Sequence, residues 1–328
     1  MRCSGVWRAA ALALVLAACT GEGSGPVQRV HVRPGASFSE VADSLEAKGI
    51  VRAGPLFRVY ARIQGDSRHV KPGTYGFRSG AGWDDVLADL RAGRVLNSRL
   101  VIPEGWDTRK IGVVVAEITE LSVDTVMAAL LDTAAPAALG VPGPTLEGYL
   151  YPATYTFPVD PPLDTVIARL VARYKEAWTP ARDSAAAAIG LNQREVVTLA
   201  SIIEWEAKKP EEMPLISAVY HNRLRIGYPL QADPTVQYAL GEHQRRLLYA
   251  HIDSVADHPY NTYKRQGLPP GPIGSPSDRA IDAALNPAAG EFLYFVARAD
   301  GSHVFTNSLD EHNRAKASLR RAADAAAR

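Results

Sequence analysis

Val196-Val197-Thr198-Leu199-Ala200-Ser201-Ile202-Ile203-Glu204-Trp205-Glu206 is apolar on almost every side when wound into a helix. Such a helix belongs in a core, so the stretch predicts a buried helix over 193–208 around which the second half of the chain is built. Two carboxylates in its last turns are costly there unless they are satisfied. Burial also raises a carboxyl pKa and keeps a protonated acid available near neutral pH, which breaking a glycosidic bond requires. A plainer reading pairs Glu204 with Lys208 at i+4 and Glu206 with Lys209 at i+3. The two acids are two residues apart and point to roughly opposite sides of the helix. Spacing alone leaves open both the pairing and the choice between them.

Around this helix the pattern predicts others over 163–178, 213–226 (stopped by Gly227) and 278–285. A hairpin is expected from Leu293–Ala297 and His303–Phe305 around Asp300-Gly301, with a polar, Ala-rich helix closing the chain. The proline-rich stretch 228–276 reads as loop-heavy, and 260–272 within it lacks helical periodicity. It carries Gln231-Ala232-Asp233-Pro234-Thr235, Tyr260-Asn261-Thr262-Tyr263 and Gly267-Leu268-Pro269-Pro270-Gly271-Pro272. Neutral hydrogen-bonding groups beside aromatic faces suit sugar hydroxyls and N-acetyl groups, although a long loop serves equally as packing.

The first half is organised differently. Arg2 and Arg8 precede a short apolar run from Ala9 to Ala18, then Leu16-Ala17-Ala18-Cys19. The run is too short to span a bilayer core, which needs roughly 20 apolar residues, and fits a secretory signal over 1–19. The small residues before Cys19 resemble a lipobox, which would leave Cys19 lipidated; plain cleavage or an uncleaved anchor are the alternatives. Residues 20–27 read as a flexible tether. Over 28–98 a strand at Val30-Val32, a helix through Phe38, Val41, Ala42 and Leu45, a second through Leu56, Phe57, Tyr60 and Ala61, and a strand from His69 to Phe77 succeed one another. This βααβ order resembles a LysM-like module, a type that binds N-acetylglucosamine-containing glycans; a spacer without sugar affinity fits the same pattern. Residues 99–142 repeat part of it: strand Leu100-Val101-Ile102, turn Pro103-Glu104-Gly105, helix Asp107–Thr119, then a linker rich in Ala, Pro and Gly. The remaining 143–328 is expected to be a mixed α+β catalytic domain.

Composition removes several function classes. Lys+Arg number 36 against Asp+Glu 35, so no nucleic-acid partner is expected. Eight histidines show no His-Glu-x-x-His or other zinc spacing, so neither a metal nor a cofactor is expected. No Gly-x-Ser-x-Gly elbow exists, and Cys3 and Cys19 are the only cysteines, which leaves the mature chain no thiol nucleophile and no internal disulfide.

From Leu146 onward the chain resembles the YceG-like (MltG) family of endolytic murein transglycosylases. The resemblance rests on Leu146-Glu147-Gly148-Tyr149-Leu150-Tyr151-Pro152, Ala200 to Glu206, Asn222-Arg223-Leu224 and Leu230 to Val236. It continues through Tyr260 to Tyr263, Gly267 to Ile273, Tyr294 to Ala297 and Gly301 to Phe305. Ala232 stands where Thr is common, Trp205 where Lys is common and Ala153 where an acid often follows Tyr-Pro. The resemblance implies that Glu204 is the catalytic acid/base. It implies Glu147, Gln231, Asp233, Tyr260 and Asn261 as substrate-binding residues, although Asp233 could instead cap a turn and Asn261 staple a loop. It further implies peptidoglycan strands as substrate, with 1,6-anhydro-muramyl ends as product, and peptidoglycan synthases as partners. The place of action is then the periplasmic side of a membrane, with a lipid anchor. A muramidase using Glu206 or Asp233 as second carboxylate, or a non-catalytic glycan-binding lipoprotein, are the rival readings.

Overall fold

The computed structural model describes residues 23–326, and Cys19 with its signal lies outside them. The chain is mixed α+β with small antiparallel sheets, and it divides into two compact units. The first comprises residues up to Arg99 together with Thr156–Pro161; the second comprises Leu100–Tyr155 and everything from Pro162 onward. Among the described residues no helix is long and apolar enough to cross a membrane.

In the first unit, β1 (Val27–Val32) pairs antiparallel with β2 (Gly73–Arg78), placing Val30 opposite Tyr75. Between them lie α1 (Phe38–Ala47) and α2 (Gly54–Ile63), so the strand–helix–helix–strand order is present. The returning strand begins at Gly73 rather than His69. Ser37 and Glu40 form a reciprocal capping box at the start of α1, satisfying two otherwise orphaned amides. At the start of α2 the carboxylate of Glu46 accepts from the Gly54 amide at 2.8 Å. A Cβ at Gly54 would sit 2.2 Å from Glu46 Oε2, so only glycine admits this cap. A third helix, α3 (Trp83–Ala92), was not evident in the sequence pattern; it buries Trp83, Val86, Leu87 and Leu90 against Leu45, Phe57 and Tyr75. Phe57 and Trp83 meet edge to face at 5.7 Å.

Strand β3 (Asn97–Ile102) pairs with β4 (Ala153–Pro158), and the boundary between units falls within both strands. Of residues 99–142, read from the sequence as a second strand–helix unit and linker, all from Leu100 onward fall in the second compact unit. They contribute α4 (Thr108–Thr119), α5 (Val123–Leu130) and the short α6 (Ala135–Leu139). Helices α7 (Leu163–Ala177) and α8 (Pro180–Ala188) lead into α9 (Gln193–Glu206), which begins with an Asn192–Glu195 capping box.

Every residue of α9 from Val196 to Ile203 is buried, as its all-round apolar pattern requires. It packs against α10 (Met213–Arg225), α11 (Asp233–Leu240) and α13 (Asp278–Leu285), in a core that includes Ile216, Tyr220, Leu230 and Ile281. The one hydroxyl deep in this helix that faces the following loop is used. Ser201 Oγ donates to the Thr198 carbonyl at 2.7 Å and accepts from the Ile273 amide at 3.0 Å, tying the 267–273 segment to the helix. Two helices stand where a loop-heavy stretch was expected: α11 and α12 (Tyr249–Ser254). Asp233-Pro234 opens α11 rather than a turn, because proline in a first helical turn lacks only an amide that would be orphaned anyway. The hairpin β5 (Tyr294–Ala297) and β6 (His303–Thr306), then α14 (Leu309–Ala326), complete the unit.

Candidate active site

Helix α9 stops at Glu206, so Lys208 and Lys209 lie beyond it and the expected helical ion pairs do not form. Lys209 instead reaches Asp300 at 3.3 Å. The two acids at the helix end have separate surroundings.

Glu204 is half-buried. Its Oε2 accepts from the Ser277 amide at 2.9 Å and from Ser277 Oγ at 2.5 Å. Ser277 is the N-cap of α13 and also accepts from the Ala280 amide, so its own position is fixed by the helix it starts. Among the described residues Glu204 Oε1 has no hydrogen-bond partner, and the carboxyl opens on a cleft of about 240 Å³. Glu104, Gly105, Trp106, Lys110, Glu204 and Trp205 line it. Trp205 supplies one wall: its indole N–H donates to the Gly105 carbonyl at 2.8 Å, and the Lys110 ammonium lies 4.7 Å from the ring.

The rest of the lining comes from the turn between β3 and α4, with Lys110 from α4. The Gly105 amide donates to the Ser275 carbonyl at 2.7 Å and the Ser275 amide to the Trp106 carbonyl at 2.8 Å. A Cβ at Gly274 would come within 2.7 Å of the Gly105 carbonyl, so the two loops are in close backbone contact. Glu104 projects from this clamped turn. Partial burial raises its carboxyl pKa, and the charge of Glu204 raises it further. Neither Glu104 nor Ser277 was singled out from the sequence. A serine ahead of an amphipathic run does signal an N-cap, but nothing in it announces Glu204 as its neighbour.

Glu206 faces away from this cleft. As a residue it is half-buried, yet its carboxyl is surrounded by protein and accepts from Tyr220 Oη at 2.9 Å. Burial pushes it up to about 7; the Tyr220 bond opposes that rise, Asp233 adds to it and Arg223 opposes it. Asp233, at the first turn of α11, accepts from Tyr263 Oη at 2.5 Å. Arg223 donates to the carbonyls of Leu293 at 2.7 Å and Leu230 at 2.5 Å. Gln231 is half-buried, and its backbone is held in the left-handed region at φ +47°.

Two motif residues lie in the interior. Glu147 is 2% exposed; it accepts from the Thr108 amide, from Thr108 Oγ1 at 2.9 Å and from Tyr238 Oη at 3.1 Å. It thereby caps the N-terminus of α4, and burial pushes its carboxyl up to about 7 against those bonds. Asn261 is fully buried: Nδ2 donates to the carbonyls of Ile252 and Val255, and Oδ1 accepts from the Tyr263 amide. That is the loop-stapling arrangement. Tyr260 is half-buried with its ring 4.9 Å from that of Tyr238.

The YceG-like family model matches residues 30–318. The chain belongs to the YceG-like family. It is similar to the endolytic murein transglycosylase of Bacillus subtilis, with 32% identity over 88% of this chain and 83% of that protein. Similarity to the Streptococcus pneumoniae protein of the same name, from strain D39, is 30% over 87% of this chain; the match spans 57% of that longer protein. A crystal structure of a yceG-like protein from Listeria monocytogenes superposes with a TM-score of 0.61 at 31% identity, covering 89% of this chain and 99% of that one.

Proposed function

We propose that this chain is a lytic murein transglycosylase that cuts peptidoglycan strands internally, with Glu204 as acid/base. The observation that carries the reading is the asymmetry at the end of α9. Glu204 alone of the two helix-end acids opens on a cleft with indole walls, with one oxygen anchored by Ser277 and the other free.

Protonated Glu204 gives its proton to the oxygen of the β-1,4 bond between N-acetylmuramic acid and N-acetylglucosamine. The bond to the anomeric carbon breaks and its electron pair stays with the departing oxygen. The muramyl 6-hydroxyl then attacks that carbon, its proton returns to Glu204, and a 1,6-anhydro ring closes. No water is consumed and the acid is regenerated. Ser277 keeps the carboxyl from rotating away between the two transfers. Trp106 and Trp205 offer faces on which sugar rings can lie.

Of the motif residues, Gln231, Asp233 and Tyr260 keep side chains that substrate can reach. Glu147 and Asn261 act by holding α4 and the 252–263 loop in place. The LysM-like first unit binds the strand, Cys19 carries a lipid that tethers the chain on the periplasmic side of a membrane, and peptidoglycan synthases supply nascent strands.

Purified strands digested with the intact chain and with Glu204→Gln test the reading by mass spectrometry. Anhydro ends from the wild type and no cleavage by the variant are expected. Reducing ends would establish a muramidase instead, and the absence of cleavage by both would leave a glycan-binding lipoprotein.

A further inference from the structure

The geometry points to Glu104 as a second catalytic carboxylate of the Glu204 cleft, whose negative charge faces the anomeric centre as positive charge develops there. This rests on the transglycosylase reading above. It adds a group that the single-carboxylate scheme lacks, and one distinct from Glu206 and Asp233, the second carboxylates suggested by the motifs.

Three observations support it. Glu104 and Glu204 line the same 240 Å³ cleft, one from the β3–α4 turn and the other from the end of α9. The turn carrying Glu104 is fixed by two backbone hydrogen bonds to Ser275 and a third from the Trp205 indole to Gly105. The clamp fixes the backbone from which Glu104, itself an exposed residue, reaches the cleft. Thirdly, Glu104 and Glu204 sense each other: the charge of Glu204 opposes ionisation of Glu104. When Glu204 carries its proton, that opposition disappears.

The chemistry balances without covalent participation by Glu104. As the anomeric carbon–oxygen bond breaks, its electron pair leaves with the oxygen that takes the Glu204 proton, and the ring is left cationic. The Glu104 carboxylate attracts that charge until the muramyl 6-oxygen bonds to the carbon and its proton returns to Glu204. The charged and titratable groups facing Glu104 are Glu204 from α9, Asp278 and Arg279 from α13, and Lys110 from α4. Arg279 favours its ionised form; Asp278 and Glu204 oppose it.

The test measures kcat, KM and their pH dependence on purified glycan strands for the full chain and for Glu104→Gln, Glu104→Asp and Glu204→Gln. Glu104→Gln is expected to lower kcat on the order of 10²-fold with little change in KM, and to abolish the acid limb of the kcat profile. Glu104→Asp should recover part of the rate and keep that limb. Wild-type kcat in Glu104→Gln overturns the inference, as does an equal loss in both Glu104 variants with the acid limb unchanged, which would mark a structural role. An inactive Glu204→Gln beside a fully active Glu104→Gln would remove only this inference. An active Glu204→Gln would overturn it together with the reading it rests on.

Discussion

Glu204 and Glu206 end one helix two residues apart, and the fold gives them opposite surroundings. Glu204 has one oxygen pinned by the N-cap of α13 and the other open to a cleft. Glu206 is closed in by Tyr220, with Arg223 and Asp233 nearby, and its carboxyl is pushed up to about 7. A raised pKa taken alone would choose Glu206, or Glu147, as the acid. Perturbed titration is common both at active sites and at interior carboxyls that merely lack water, so it selects candidates and access must decide between them. Of the two helix-end acids, only Glu204 lines the cleft.

The largest expected effect follows directly. Glu204→Gln should lose about two to four orders of magnitude in strand cleavage, the usual cost of removing a general acid. Glu206→Gln should remain within a few-fold of wild type, because its amide can still accept from Tyr220. Measured side by side, a reversal of these two rates would break the comparison outright.

Next in size are the interior carboxyls, read through stability rather than rate. The Glu147 carboxyl is met by three groups, the Thr108 amide, Thr108 Oγ1 and Tyr238 Oη, of which only the backbone amide cannot also accept. In Glu147→Gln the amide N–H₂ takes the site of one carboxyl oxygen, so the hydroxyls must turn to accept and the Thr108 N–H loses one of its two contacts, at a cost of about 1 kcal/mol. Glu206→Gln has a single bond to preserve and should leave the unfolding midpoint nearly unchanged near pH 5. Equal destabilisation by the two variants in denaturant unfolding would show that the bond count is not what matters.

The pH dependence has a definite sign. Both carboxyls are raised from 4.5 to about 7 in the folded chain. An unfolded carboxyl ionises first, so the stabilising preference for the protonated form is fully present below about pH 4.5. It is lost as pH rises through about 7. Unfolding free energy contributed by these groups should therefore fall between pH 5 and 8, by on the order of a few kcal/mol in total. Glu206→Gln should flatten part of that fall. A wild-type chain equally stable at both pH values, with no compensating change in the variant, would contradict the assignment of buried neutral carboxyls.

What the sequence made legible follows from the range over which each signal acts. The buried helix 193–206, the hairpin and the βααβ order are written in local periodicity. The helix needed no partner to be recognised, because it is apolar all round. Strand β4 escaped because only Tyr155 and Phe157 alternate inward before Pro158 ends the pattern. Helix α11 escaped because Asp-Pro signals a turn as readily as a helix start. The site was less legible still. Part of its lining comes from residues 104–106, about a hundred positions before Glu204, in a segment read as a partial repeat of the first unit. Its anchor, Ser277, lies 73 positions after. No local pattern records that these meet; only the folded backbone brings them together. Motif resemblance marked Glu147 and Asn261 as substrate-binding residues, and no local pattern showed that their side chains bond to the start of α4 and within the 252–263 loop.

The smallest expected effect sharpens the comparison on the Glu206 side. The segment 230–233 belongs there: Arg223 donates to the Leu230 carbonyl, and Asp233 acts electrostatically on Glu206. Within it Gln231 sits at φ +47°, while its amide donates to the Thr262 carbonyl at 3.1 Å. A residue with a Cβ is strained in this region by about 1 kcal/mol, and glycine is not. Gln231→Gly should therefore stabilise the chain slightly. Glycine's larger unfolded-state entropy offsets part of the gain, leaving a rise in melting temperature of roughly 1–2 °C. If the side chain contacts substrate, the same variant should raise KM several-fold despite its greater stability. That opposition is the informative outcome, because a general loosening of the fold would lower melting temperature and activity together. An unchanged KM would confine Gln231 to shaping the turn before α11, and leave the Glu204 face as the only part of the helix end that meets the glycan.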